Sequence, residues 1–282
     1  MSADSLLELP VSPRPPFLVD GLVPADGRIV LISPAKKGKS TLAIQLAAAI
    51  GSGTPFLGRE VTKGRVLYIQ FDNTDNMWRS LVRRGKEAGL KYDDVYTIRP
   101  SHVPNMMQFD IRLPEWQAWL KKTLYPCDPH LVVIDVFRKF HKADENSSDA
   151  MTAVNNILST ILKGRCTLIL HHSKKYSEDR NHSRPMAAHL GRGSTVIAAD
   201  ADGVWVIDKG CLEIESRLDE DIRIHLQRSP DGFWVTKVGV NPEEIARFAA
   251  FLTAHPGISE RELAKFAEVE LFMSRSTLKR RL

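Results

Sequence analysis

The strongest chemical signal in the chain is the run Ser33-Pro34-Ala35-Lys36-Lys37-Gly38-Lys39-Ser40, followed by Thr41. It stands between an apolar strand candidate and an alanine-rich helix candidate, the setting a phosphate-binding loop requires. In such a loop successive backbone N–H groups and the positive end of the helix cradle a β-phosphate. Lys39 then bridges the β- and γ-oxygens, and Ser40 Oγ ligates Mg²⁺. Gly38 keeps a Cβ out of the space where backbone meets phosphate. The first position, normally glycine, is Ser33, which tolerates the turn into the loop less well. Lys36 and Lys37 either add electrostatic attraction or face solvent.

Binding alone needs no more than this; hydrolysis needs a second carboxylate and a way to orient water. Leu131–Asp135 (LVVID) gives four apolar residues ending in an acid, so Asp135 is expected to hold Mg²⁺ at the sheet's carboxyl edge. The alternative is an Asp that only caps the following turn. Val136 follows it, so a general base must come from elsewhere. Asp72, at the end of RVLYIQF, sits beside the loop if the two strands are adjacent, and there it polarises water. Asp75 is the fallback, though its place in FDNTDN reads better as a helix cap. His171 and His172 close the strand TLILHH. Adjacent strand residues face opposite ways, so only one reaches the nucleotide. His172, nearer the carboxyl edge, is expected to sense the γ-phosphate, against the plainer reading of a polar strand cap. With no CxxC or HExxH nearby, a metal on this pair is disfavoured.

These groups need a scaffold that brings strand tips together. Arg28–Ile32, Arg65–Phe71, Val95–Ile98, Leu131–Asp135 and Thr167–His172 are strand candidates. Helical spacing at Lys39–Ile50, up to Ala88, at Leu113–Leu124 and at Ala150–Leu162 alternates with them. Continuous apolar strands between helices indicate an α/β fold whose parallel sheet is covered on both faces. From Gly203 short alternating strands (VWVID, LEIES, IRIHLQ, FWVTKV) read as antiparallel hairpins extending the sheet edge. Residues 1–25, rich in proline, read as an N-terminal arm packing on the domain or on a neighbour, and residues 26–240 as the core. Residues 241–282 hold three short helix candidates, the last with Arg275, Lys279, Arg280 and Arg281, which resemble a helix-turn-helix module. They stop where a recognition helix would continue into a wing, so the module is expected to be incomplete. The plainer alternative is a small bundle completing an oligomer contact.

The chain has 282 residues with 39 Lys and Arg against 34 Asp and Glu, a formal charge of +5. That excess is compatible with nucleic acid without establishing it. Three cysteines, Cys127, Cys166 and Cys211, argue against a disulfide framework. With no signal-like N-terminus and no long apolar run, a cytoplasmic protein without membrane contact is expected.

With these residues placed, SPAKKGKS, YIQFDN, VIDVFRKFHKADENSS, LILHHSKK and GRGSTVIAADADG resemble the RecA-like hexameric replicative helicases, most closely their plasmid RepA-type branch. The resemblance runs from about Leu22 to Val206 and is most telling over Asp135–Ser147. It implies a RecA-like P-loop NTPase core, with ATP and Mg²⁺ as cofactors. The strand-end acid after YIxx is usually Glu in that family and is the catalytic base; here it is Asp72. The family histidine maps to His172. The Arg of the RGS motif maps to Arg192, a finger reaching the neighbouring subunit's nucleotide. Ser33 and Asp72 both depart from the family pattern and speak against fast turnover.

Lys139–Asp149 and Ser173–Leu190 follow strands on the ligand side. In a ring Lys139, Lys142, Lys174, Lys175, Arg180 and Arg184 would track the phosphates of a single DNA strand; the alternative is solvated loops. The reading is an ATP-driven motor on single-stranded DNA, assembled as a hexameric ring, with 241–282 recruiting duplex DNA or a replication-protein partner. The alternatives are an ATP-switched DNA-binding regulator, a helicase loader, and a recombinase-like filament former.

Overall fold

The computed structural model describes residues 16–172, 196–217, 220–237 and 253–255. The first elements are β1 (Phe17–Val19), β2 (Val23–Pro24), β3 (Gly27–Ser33), α1 (Lys39–Ser52), β4 (Val66–Gln70), α2 (Asp75–Glu87) and β5 (Val95–Ile98). Then come α3 (Pro114–Cys127), β6 (Leu131–Asp135), α4 (Ser148–Ile161) and β7 (Cys166–His172). The last are α5 (Val196–Ala199), β8 (Gly203–Asp208), β9 (Cys211–Ser216), β10 (Ile222–Arg228) and β11 (Trp234–Thr236).

Nine of these strands form one sheet in the order β11-β10-β9-β8-β3-β7-β6-β4-β5. Neighbours are parallel from β5 through β8. The pairs from β8 to β11 are antiparallel. The alternating texture after Gly203 suggested hairpins throughout, yet β8 runs parallel to β3 and is the last parallel strand. Its partners differ on its two sides, a distinction that alternation within one strand does not encode.

Side-chain parity divides the core in two. Leu131 and Val133 of β6, Leu168 and Leu170 of β7 and Tyr68 of β4 join α1 on one face. Val132, Ile134, Ile169 and Ile69 pack with residues of α3 and α4 on the other. Helix α1 is buried around most of its circumference, and its alanines let the backbone approach the strands closely.

Residues at the start of the described chain are built into this core rather than laid over it. Leu18, Val19, Leu22 and Val23 are buried with α1. The backbone of Asp20 donates to Glu60 O, and that of Thr62 to Leu18 O. At the far end of the parallel set Asp202 accepts from the backbone N–H of Arg28 at 2.8 Å. The Arg28 guanidinium reaches Asn155 O and Ser159 Oγ of α4. Asn155 in turn donates to Asp200 at 2.9 Å. The acids of the ADADG run thus tie β3, α4 and the end of α5 together. The expected helices of 241–282 lie outside the described residues except for 253–255. No helix among the described residues is long and apolar enough to cross a membrane.

Candidate active site

The register of the central strands brings the chemistry to one edge. Ser33 pairs with His172 across β3 and β7, and Gln70 pairs with Asp135 across β4 and β6. His172 shares the parity of Leu168 and Leu170, and Asp135 that of Leu131 and Val133, which turns both to the α1 side, where the loop Ser33–Ser40 passes over the strand ends. His171 points to the opposite face and lies edge-on to Phe137.

Helix α1 begins at Lys39 behind Gly38, whose φ is 93° and whose side gives no capping hydrogen bond. The first-turn N–H groups therefore have no intrahelical acceptor and no cap, the condition for receiving an anion. Left-handed backbone in the loop falls at Lys36 (φ 62°) and Gly38, and not at Ser33. The concern over a serine at the first position is thus misplaced: the residue carrying the strain of a left-handed φ is the exposed Lys36. Ser33 is fully buried, and its Oγ donates to Pro34 O at 3.1 Å. Pro34, Ala35 and Lys37 are exposed, and Thr41 lies in the first turn of α1.

Lys39 is buried at 6% exposure. Its Nζ donates to Ser33 O at 2.9 Å and Pro34 O at 3.1 Å, and stands 3.2 Å from His172 Nδ1. An ammonium can only donate, so Nδ1 presents its lone pair to it. Burial pushes the Lys39 pKa down to about 8, against the pull of Asp135 and Asp72.

Asp135 is 2% exposed. Its Oδ2 accepts from Tyr68 Oη at 2.8 Å, and the Ser40 hydroxyl also bonds to the carboxylate. Burial raises its pKa to about 6; the Ser40 and Tyr68 bonds and Lys39 oppose this, while Asp72 adds to it. Two carboxylates, Asp135 and Asp72, that both act electrostatically on a single buried ammonium form a set that a divalent cation would complete. Ser40 and Asp135, already in contact, are the residues that would hold Mg²⁺. The Asp135–Val136 peptide is cis.

Asp72 reaches the site by a route other than the expected one. Strand β4 is not next to β3; β7 and β6 lie between them. Asp72 nonetheless acts electrostatically on both Lys39 and Asp135. It is partly exposed, and its carboxylate lies 3.7 Å from Lys139 Nζ. Asp75 is not the cap of α2. Thr74 holds that position, with Oγ1 accepting from Met77 N. Asp75 stands in the first turn, bound by Arg99 at 2.9 Å and by Ser101 Oγ at 2.7 Å. Those contacts hold it away from a base's role.

Of the residues expected to track DNA, Lys139 and Lys142 are exposed. Lys174, Lys175, Arg180, Arg184 and the expected finger Arg192 lie outside the described residues.

Sequence reasoning missed two groups. One is Tyr68: a phenol in the middle of an apolar strand needs a buried acceptor, and strand parity would have aimed it at the face of Asp135. The other is the β10–β11 hairpin, which lies against the phosphate loop. Trp234 Nε1 donates to Gly38 O at 3.1 Å. The Gln45 amide of α1 holds both Trp234 N (2.9 Å) and Trp234 O (2.8 Å). These contacts span about 190 residues and leave no local pattern to read.

A family model described as an AAA domain (AAA_25) matches residues 3–178. Among solved structures the chain is similar to the KaiC-like protein PH0186 from the hyperthermophilic archaeon Pyrococcus horikoshii OT3. The TM-score is 0.51 at 15% identity, over 79% of this chain and 95% of that one. At that identity the likeness speaks for the fold, an α/β RecA-like P-loop core.

Proposed function

The chain belongs to the AAA domain family, and from that premise we propose that it is a Mg²⁺-dependent ATPase that moves on single-stranded DNA as a ring, most simply a hexamer. The observation that carries the ATPase reading is the meeting of Lys39, Ser40, Asp135 and His172 over adjacent strand tips, with Asp72 acting electrostatically on Lys39 and Asp135. Magnesium, when bound by Ser40 and Asp135, supplies charge neutralisation on the phosphate oxygens.

The chain's own residues do the rest. Loop N–H groups hold the β-phosphate, and Lys39 exchanges the carbonyls of Ser33 and Pro34 for phosphate oxygens. Asp72 accepts a proton from the attacking water as its oxygen bonds to the γ-phosphorus. The bond from that phosphorus to the ADP oxygen breaks, and its electrons leave with ADP. His172 would sense the γ-phosphate, a reading its 3.2 Å approach to Lys39 Nζ supports. Arg192 would act on a neighbouring subunit's nucleotide. The DNA and ring parts draw on the resemblance over Asp135–Ser147 and on exposed Lys139 and Lys142 on the ligand side of the sheet.

A second reading, an ATP-set switch without unwinding, draws on the Asp72–Lys139 contact, which engages the base candidate with a cation. The test is ATP hydrolysis by the full chain with and without single-stranded DNA, beside unwinding of a forked duplex. The motor predicts DNA-stimulated turnover, strand separation, and loss of both in Lys39→Ala. Stimulated hydrolysis without strand separation selects the switch; turnover surviving in Lys39→Ala removes the site.

A further inference from the structure

The edge hairpin does more than cover the sheet. Arg228, near the end of β10, lays its guanidinium over the Trp234 ring, 3.7 Å from the centroid. Its Nη1 donates to Gly232 O at 2.6 Å across the turn. The other edge of the fork faces the phosphate loop. A β-carbon placed on Gly38 would run into Arg228 Nη2 and lie 2.9 Å from Cζ and 3.0 Å from Trp234 Nε1. The guanidinium therefore stands in contact with the backbone that opens α1, one residue before Lys39.

What holds it there is specific. Trp234 is anchored to Gly38 O through its ring and to Gln45 through its backbone. The ring then offers its face to the cation, which fixes the plane of the guanidinium. Burial first, and then a second cation, Arg84 of α2, lower the affinity of Arg228 for its proton. Arg84 also approaches the turn at Gly232. Two guanidinium groups close enough to act on each other, one of them against the backbone that opens α1, repel unless an anion joins them. A brace alone would not call for charge, since the tryptophan and glutamine bonds already fasten the hairpin.

We propose that Arg228 is a nucleotide-binding residue in cis: its free edge contacts the phosphates of the nucleotide held by its own subunit's Ser33–Ser40 loop. This rests on the reading of that loop as a nucleotide site and adds a ligand from the far end of the sheet. A planar fork matches two phosphate oxygens, and the Trp234 platform holds it ready, so little order is lost on binding. The hairpin is then the element that registers whether the loop is filled.

The experiment is calorimetric titration of the full chain with MgADP and MgATP, for wild type, Arg228→Ala, Arg228→Lys, Arg228→Gln and Lys39→Ala. Loss of a charged hydrogen bond predicts affinity about tenfold or more weaker in Arg228→Ala for both nucleotides. Arg228→Gln, planar but neutral, should lose as much, and Arg228→Lys should recover part. The ligand-free melting midpoint should stay close to wild type, because the Trp234–Gly38 and Trp234–Gln45 bonds fasten the hairpin without Arg228. Affinity within twofold of wild type in Arg228→Ala would overturn the assignment. So would full affinity in Arg228→Gln, which would make stacking the cause, or a fall in ligand-free stability that matches the lost binding. A wild-type chain that binds neither nucleotide would instead remove the loop reading itself, so the two failures are distinct.

Discussion

Tyr68 donates its phenolic hydroxyl to Oδ2 of Asp135 at 2.8 Å from the neighbouring parallel strand, and both side chains are buried. The pair explains how a carboxylate survives at the tip of an apolar strand. Tyr68 supplies one donor and Ser40 another, so ionisation remains within reach despite the burial. The phenol is itself pushed well above its ordinary pKa by burial and by Asp135, so it stays a donor at every working pH.

Tyr68→Phe should therefore weaken Mg-nucleotide binding without unfolding the chain. Removing a donor that favours the ionised form raises the Asp135 pKa above about 6, toward neutrality. The protonated fraction then grows at pH 6.5 and shrinks again at pH 8. The expected cost is about 1–2 kcal/mol of MgATP affinity near pH 6.5 and less at pH 8. Calorimetric titration at the two pH values checks this; an equal loss at both would mean that the hydroxyl serves packing alone.

Lys36 gives the second prediction. It holds a left-handed backbone with φ 62° in an exposed position of the loop. Glycine adopts that conformation without a Cβ clash, and it gives back part of the gain in unfolded-chain entropy. Lys36→Gly should stabilise the fold by up to about 1 kcal/mol, raising the thermal midpoint by a few degrees. If the Lys36 ammonium faces solvent, MgATP affinity stays within about twofold. A lower midpoint would show that the side chain contributes a contact worth more than the strain.

Local pattern carried the central strands β3, β4, β6 and β7 because each is built on a run of apolar residues, and β6 fell on the expected Leu131–Asp135. Parity carried the distinction between His171 and His172, since a period of two cannot aim both at one face. Strand order did not follow. Nothing in RVLYIQF says that β7 and β6 separate it from β3, and the premise of adjacency behind Asp72 failed on that account. The cap of α2 was misread because Thr74 and Asp75 are both good capping types, and only the backbone decides between neighbours. The contact of Trp234 with the loop was invisible because its partners Gly38 and Gln45 lie about 190 residues away in the sequence.

A third prediction comes from a histidine that the sequence reading only passed through. His141, in the RKFH run, is 2% exposed, and neither ring nitrogen has a hydrogen-bond partner among the described residues. Its ring packs edge-on to Phe137 with centroids 4.5 Å apart. Burial first, then the cations Arg138 and Arg112 and the neighbouring His171, lower its pKa to about 4, against the pull of Asp110. Above the ordinary histidine pKa near 6.5 both folded and unfolded chains carry it neutral, and it adds no pH dependence. Between 6.5 and 4 the unfolded chain binds a proton that the folded chain refuses, so stability falls as pH falls through this window. His141→Phe removes that proton. Taking pH 7.5 as the baseline, the variant should gain about 2 kcal/mol relative to wild type by pH 5. Urea unfolding of both chains at pH 7.5, 6 and 5 measures the difference directly. Parallel pH slopes for the two chains would mean that the folded state hydrates and protonates His141 as readily as the unfolded one.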